Sequence, residues 1–115
     1  MTERRKFLRF ETALNALCDI VSEKWKAHYK VKNISKEGAL LLLDKKLRSG
    51  EMINLSVDVP GDNMPIFASA EVAWQRGLDE HSYETGVRFI KIDNSDKGRL
   101  FEYIYLQWLK LLDRE

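Results

Sequence analysis

Alternation is the feature that most narrows what this chain can fold into. In "WKAHYKVK", Trp25, Ala27, Tyr29 and Val31 fall on one side of an extended chain, while Lys26, His28, Lys30 and Lys32 fall on the other. A period of two marks a half-buried strand, because successive side chains point to opposite faces of the pleat. The same period runs through Leu14, Ala16, Cys18 and Ile20, and again through Ile53, Leu55, Val57 and Val59. "ALLLLD" from Ala39, the segment Ile66 to Trp74 and the segment Tyr83 to Phe89 complete six candidate strands. Turn chemistry separates them at Ser49-Gly50, at Pro60-Gly61-Asp62-Asn63 and in "RGLDEHS", since proline fixes one dihedral and glycine supplies a positive one.

Beyond Asp93 the period changes. Leu100, Phe101, Ile104, Tyr105, Trp108, Leu109 and Leu112 recur at steps of three and four, which places them on one stripe of a helix. Asn94 or Ser95 is the expected cap at its start. Six strands and then one helix, joined by short turns, predict an all-β domain with a C-terminal helix, the strands closing into a six-stranded antiparallel β-barrel. The expected organisation is a single domain over 1–115, with a flexible basic arm at 1–11, the barrel at 12–90 and the helix at 94–113. The helix stripe, widened by Leu106 and Leu111, is broad enough for part of it to meet a second subunit, so the helix is a candidate homodimer surface.

Composition bounds the chemistry. The 115 residues are 44% hydrophobic, enough for one core, and 19 basic against 18 acidic residues leave a net charge of +1. So balanced a chain is not built to coat nucleic acid or an anionic membrane, and any basic site is local. Cys18 is the single cysteine, which excludes an internal disulfide and a multi-thiolate zinc site and fits a reducing, cytoplasmic setting. No signal peptide and no membrane-spanning run is read in the sequence. His28 and His81 stand far apart without a carboxylate in ligand spacing, and no nucleophile or phosphate-loop motif occurs, so neither a metal, a cofactor nor catalysis is expected. His28 reads as a solvated residue on the polar face of its strand. Trp25, Trp74 and Trp108 read as packing residues, with Trp74, at a strand end, within reach of a ligand. A barrel for single-stranded nucleic acid would interleave exposed aromatics with a basic groove, and the Lys26/Lys30/Lys32 face lacks them.

Two polar stretches remain. "RRKFLRF" puts four cations, Arg4, Arg5, Lys6 and Arg9, ahead of the first strand, and guanidinium forks grip oxyanions well. "NISKEG" sets Asn33 and Ser35 at alternate positions and follows them with Gly38, which tolerates a left-handed or crowded backbone. Read alone, the first is a solvated basic tail and the second a polar turn. Together and in this order they resemble the signature of the PilZ domain family. Arg5-Lys6-Phe7-Leu8-Arg9 matches RxxxR, and Asn33-Ile34-Ser35-Lys36-Glu37-Gly38 matches (D/N)xSxxG. "YETGVRF" is similar to the family's late strand with its Gly-x-x-Phe pattern, and "VAW" ending at Trp74 to the strand before it.

The resemblance implies a non-enzymatic receptor for cyclic di-GMP, a bacterial second messenger with two phosphodiesters and two guanines. It implies that Arg5 and Arg9 contact phosphate or the guanine edge, that Asn33 and Ser35 hydrogen-bond to the nucleotide, and that Gly38 keeps the backbone clear. Arg4, immediately before RxxxR, implies two intercalated nucleotides per chain. The arm, without apolar periodicity, is expected to be mobile alone and to order around the ligand, and the change to pass to an unidentified protein partner. The alternative is an interaction module of the same fold that does not bind the nucleotide.

Overall fold

A computed structural model describes the backbone over residues 10–113 and side chains from Leu14 to Leu112. Six strands and one long helix follow one another: β1 (Phe10–Ile20), β2 (Trp25–Ile34), β3 (Gly38–Leu43), β4 (Met52–Val57), β5 (Ile66–Gly77), β6 (Tyr83–Ile92) and α1 (Asn94–Asp113). A single 3-10 turn, Val21–Glu23, joins β1 to β2. Every pairing is antiparallel, and the order β1-β2-β3-β6-β5-β4 closes because β4 also pairs with β1. The expected barrel and helix are therefore both present. β1 starts at Phe10, so Phe10 and Glu11, which the sequence reading gave to the arm, pair with Ile34 and Asn33. The barrel runs on to Ile92, and β5 continues three residues past Trp74 to Gly77.

Alternation places the core as expected. Ala16, Cys18, Ile20, Val31, Leu41 and Ile53 are among the fully buried residues of one cluster inside the barrel. The turn residues also behave as read, with Gly61 at φ 81° in the β4–β5 connection. Trp25, Trp74 and Trp108 are 43%, 48% and 40% exposed, so all three stand on the surface instead of in the core. Trp25 stands at the start of β2 with its indole N–H donating to the Tyr29 hydroxyl at 2.9 Å, Trp74 is turned outward by a register shift, and Trp108 lies on the exposed face of the C-terminal helix.

Four departures from regular pairing redirect side chains. The β2–β3 register shifts between Val31 and Asn33, and the β5–β6 register between Ser69 and Ala70 and again between Val72 and Trp74. The β1–β2 register also shifts, between Glu11 and Leu14. Each bulge inserts a residue and reverses the face on which the next side chain emerges.

The helix crosses the barrel end where β1 begins, β2 ends and β5 begins. Leu100 is 1% exposed and joins the core, with Tyr103 and Ile104 packed against it. The first helical bond runs from the Lys97 N–H to the Asp93 carbonyl, so the cap position is Asp93, one residue before the expected Asn94 or Ser95. Arg99 fastens the start of α1 to the β4–β5 connection: it donates to the Asp62 carboxylate at 2.6 Å, to the Asp96 carboxylate at 2.9 Å and to the carbonyls of Met64 and Pro65. Leu100→Ala should therefore cost about 2–5 kcal/mol, the usual range for emptying a leucine site in a core. Urea denaturation checks this, and a change below about 1 kcal/mol would show that the helix is not part of the cooperative unit.

Candidate functional site

The turn between β2 and β3 carries most of the second motif. Ser35 is 1% exposed, because the strand ends at Ile34 and the chain folds back at once. Its N–H donates to the Gly38 carbonyl at 2.9 Å, its hydroxyl donates to that same carbonyl at 3.4 Å, and the hydroxyl accepts from the Glu37 N–H at 3.2 Å. The alternation of Asn33 with Ser35 along an extended chain thus stops one residue short of Ser35. The hydroxyl stands inside the turn and holds it closed.

Gly38 is required by crowding and not by handedness. A Cβ built there would lie 2.0 Å from the Val87 carbonyl oxygen of the neighbouring strand, and its φ is not in the left-handed region. Beside it, the Phe89 N–H donates to the Glu37 carbonyl at 2.8 Å, so the Gly-x-x-Phe strand and the turn are stitched together.

Asn33 leaves the turn by the opposite face. Strict alternation from Val31 would send it inward, but the bulge at Lys32 lets Ile34 take the inward place, 1% exposed, and turns Asn33 outward. Its Cα partner on β3 is Leu40, the partner of Leu40 on β6 is Gly86, and the partner of Gly86 on β5 is Trp74. These four residues form one row across the outside of the barrel, three strand spacings or about 14 Å wide. A Cβ on Gly86 would meet the Trp74 indole nitrogen at 2.3 Å, so the ring lies down over the glycine while keeping 48% of its surface open. Asn33 and an indole face flank a floor of Leu40 and bare backbone. The bulge after Val72 is what brings Trp74 to this face.

Ion pairs border the row on both sides. Glu84 accepts from Lys32 at 2.6 Å and from Arg76, and its side chain is only 9% exposed. The Lys32 ammonium, and secondarily the Arg76 guanidinium, hold the Glu84 carboxyl below its ordinary range. On the other side Arg88, paired in register with Gly38 and Glu71, forms an ion pair with Glu71 that raises the arginine's own pKa. Three cations therefore ring a shallow surface with one aromatic wall, an arrangement suited to an anion that carries a flat ring. The sequence reading named Trp74 as within reach and missed Lys32, Arg76 and Arg88. Their positions follow from strand register, which no local motif encodes.

Arg4, Arg5 and Arg9 lie outside the described residues. His28 and His81 are exposed and, among the described residues, no group of three or more His, Cys, Asp or Glu is placed to hold a metal ion. No helix among the described residues is long and apolar enough to cross a membrane.

A closed six-stranded barrel with a helix across one end and a polar turn between β2 and β3 defines the fold. The chain belongs to the PilZ domain family, whose sequence profile matches residues 3–106. Among solved structures it is similar to the inhibitor of motility MotI/DgrA of Bacillus subtilis, at a TM-score of 0.78 and 19% identity over 95% of this chain and 53% of that one. It is similar to the PilZ domain of YcgR from Escherichia coli with c-di-GMP, at a TM-score of 0.73 and 13% identity over 97% of both chains. A third similarity is to the MrkH–c-di-GMP complex of K. pneumonia, at a TM-score of 0.74 and 16% identity over 99% of this chain and 57% of that one. The chain spans about half the length of MotI/DgrA and MrkH. No curated protein matched it.

The Glu84 cluster has a pH signature. A carboxyl held below its ordinary value of 4.5 in the folded state stabilises fully above that value, and the stabilisation is lost as pH falls through the lowered one. Glu84→Gln should therefore be less stable than wild type at neutral pH, and the difference should shrink as the pH drops below about 4.5. Denaturant melts across that range check it, and a difference independent of pH would show that the two cations do not act on Glu84.

Proposed function

We propose that this protein is a bacterial, cytoplasmic receptor for cyclic di-GMP that changes conformation on binding and so regulates a partner protein, without catalysing a reaction. The observation that carries the reading is the row Asn33–Leu40–Gly86–Trp74 on the outer face of the barrel. Membership of the PilZ family supports it, as does the likeness to barrels whose structures contain c-di-GMP.

In this reading a guanine lies on the floor of the row against the Trp74 indole, and Asn33 hydrogen-bonds to its edge. Phe10 opposes Ile34 in the β1–β2 ladder, and in this reading the RxxxR segment that precedes it in sequence approaches the site from its NISKEG end. Arg5 and Arg9 then close over the phosphodiesters with bidentate bonds, each worth about 1.5–3 kcal/mol. Ser35 and Gly38 serve by shaping the turn, Ser35 through its three internal bonds and Gly38 by letting β3 approach Val87. Lys32, Arg76 and Arg88 add positive potential around the rim. The same fold acting as an interaction module without nucleotide is the second reading, favoured by the already satisfied ion pairs at Glu84 and Glu71.

Calorimetry separates the two. Cyclic di-GMP should bind with a dissociation constant on the order of micromolar or tighter, equivalent to about 8 kcal/mol. Arg9→Ala should weaken it about 10- to 100-fold, and Trp74→Ala about tenfold from the lost stacking. Absence of heat at high ligand concentration would leave the interaction module standing.

Stoichiometry tests Arg4. Two nucleotides bring about four negative charges into one surface, and a third guanidinium offsets repulsion that two would leave. Wild type should bind two ligands per chain and Arg4→Leu one. A ratio of one in wild type, or of two in the variant, removes Arg4 from the site.

A further inference from the structure

Helix α1 buries one side and leaves another bare. Leu100, Tyr103, Ile104 and Gln107 face the barrel, whereas Phe101, Tyr105, Trp108 and Leu112 are 42%, 56%, 40% and 46% exposed. The exposed four are spaced 4, 3 and 4 residues apart. That is the a/d repeat of a coiled-coil seam, with Tyr105 and Leu112 at a and Phe101 and Trp108 at d. The Tyr105 and Trp108 rings already pack 6.4 Å apart, so the seam is a continuous aromatic surface and not a scatter of single residues.

We propose that this seam pairs with the same seam of a second copy of the chain, the two helices running parallel. Three observations choose that occupant. First, a heptad seam is satisfied by a partner helix of matching spacing, and a second copy supplies it residue for residue. Second, the charges fit. In this frame Lys97 falls at g and Glu102 at e, five residues on. A parallel pair sets each g residue against the e residue five positions later on its partner, so Lys97 meets Glu102 of the partner subunit twice by symmetry. Neither side chain has an ion-pair partner within its own protomer among the described residues. An antiparallel pair would set g against g and e against e, and would leave both charges unmatched.

Third, the area is adequate for a small pair. Five large side chains, the four of the seam with Leu111 at g, are 40–56% exposed. At about 150–250 Å² for a large side chain they offer about 450 Å² per protomer, and two copies bury about 900 Å², close to the lower bound of a specific interface. Leu109 at e and Leu111 at g widen the seam on either flank. The seam begins near the β2–β3 turn, where the Lys36 ammonium stands 6.0 Å from the Phe101 ring.

Sedimentation equilibrium of the full chain without nucleotide tests the proposal independently of ligand binding. Wild type should be dimeric at micromolar concentration, and Trp108→Glu monomeric with an unchanged circular dichroism spectrum, since that side chain stands outside the core. Lys97→Glu should weaken the dimer about tenfold by opposing like charges, and Lys97→Glu combined with Glu102→Lys should restore it. A wild type that stays monomeric at hundreds of micromolar would hand the seam to a different protein and overturn the proposal. A dimer that survives Trp108→Glu would overturn it by placing the interface elsewhere. Failure of the charge swap to restore the Lys97→Glu dimer would overturn the parallel pairing.

Discussion

Closure of the sheet is the constraint on which the other features rest. β1 spends both edges over the same residues: Ala16 pairs with Tyr29 and Val57, Cys18 with Ala27 and Leu55, and Ile20 with Trp25 and Ile53. With β1 bonded on both sides over this stretch, the sheet closes on itself, and these residues offer no open edge for another chain to extend. Six strands enclose a narrow interior, and the inward residues that fit are mostly aliphatic, alanine and the buried Cys18 thiol. The polar turn, the indole and the ion pairs are accordingly all found on the outer face and at the barrel ends.

How much of this the sequence disclosed depends on what periodicity can carry. Alternation through Leu14–Ile20, Trp25–Lys32 and Ile53–Val59 located the strands, because one face of each must be buried. Steps of three and four located α1 with both ends, its cap moving by one residue to Asp93. Bulges are invisible to such reasoning, since the extra residue looks in the sequence like any other strand residue while it reverses the face of those that follow. Two of them form the candidate surface by turning Asn33 and Trp74 outward. The tryptophans show a related limit: hydrophobicity marks them as packing residues, but strand register and helix rotation decide which face each ring takes.

The paired motif divides its labour in a way its spelling hides. In NISKEG, Asn33 presents an amide to the outer face, while Ser35 and Gly38 shape the backbone that presents it. The same turn touches α1 through Lys36 and is bonded to β6 through Phe89. The turn thus lies between the helix and the strand that carries Gly86, in contact with both.

The buried thiol has a practical corollary. Cys18 is the chain's single cysteine, it is fully enclosed in the core, and burial pushes its pKa up to about 12. A thiol so enclosed and so rarely ionised is inert to maleimides while the barrel stays folded. A cysteine introduced at an exposed position of the β5–β6 turn, such as Glu80, would therefore react alone, without the native residue having to be removed first. The folded protein is in this sense already prepared for single-site attachment of a fluorophore or spin label, and reaction at Cys18 itself would report unfolding of the barrel.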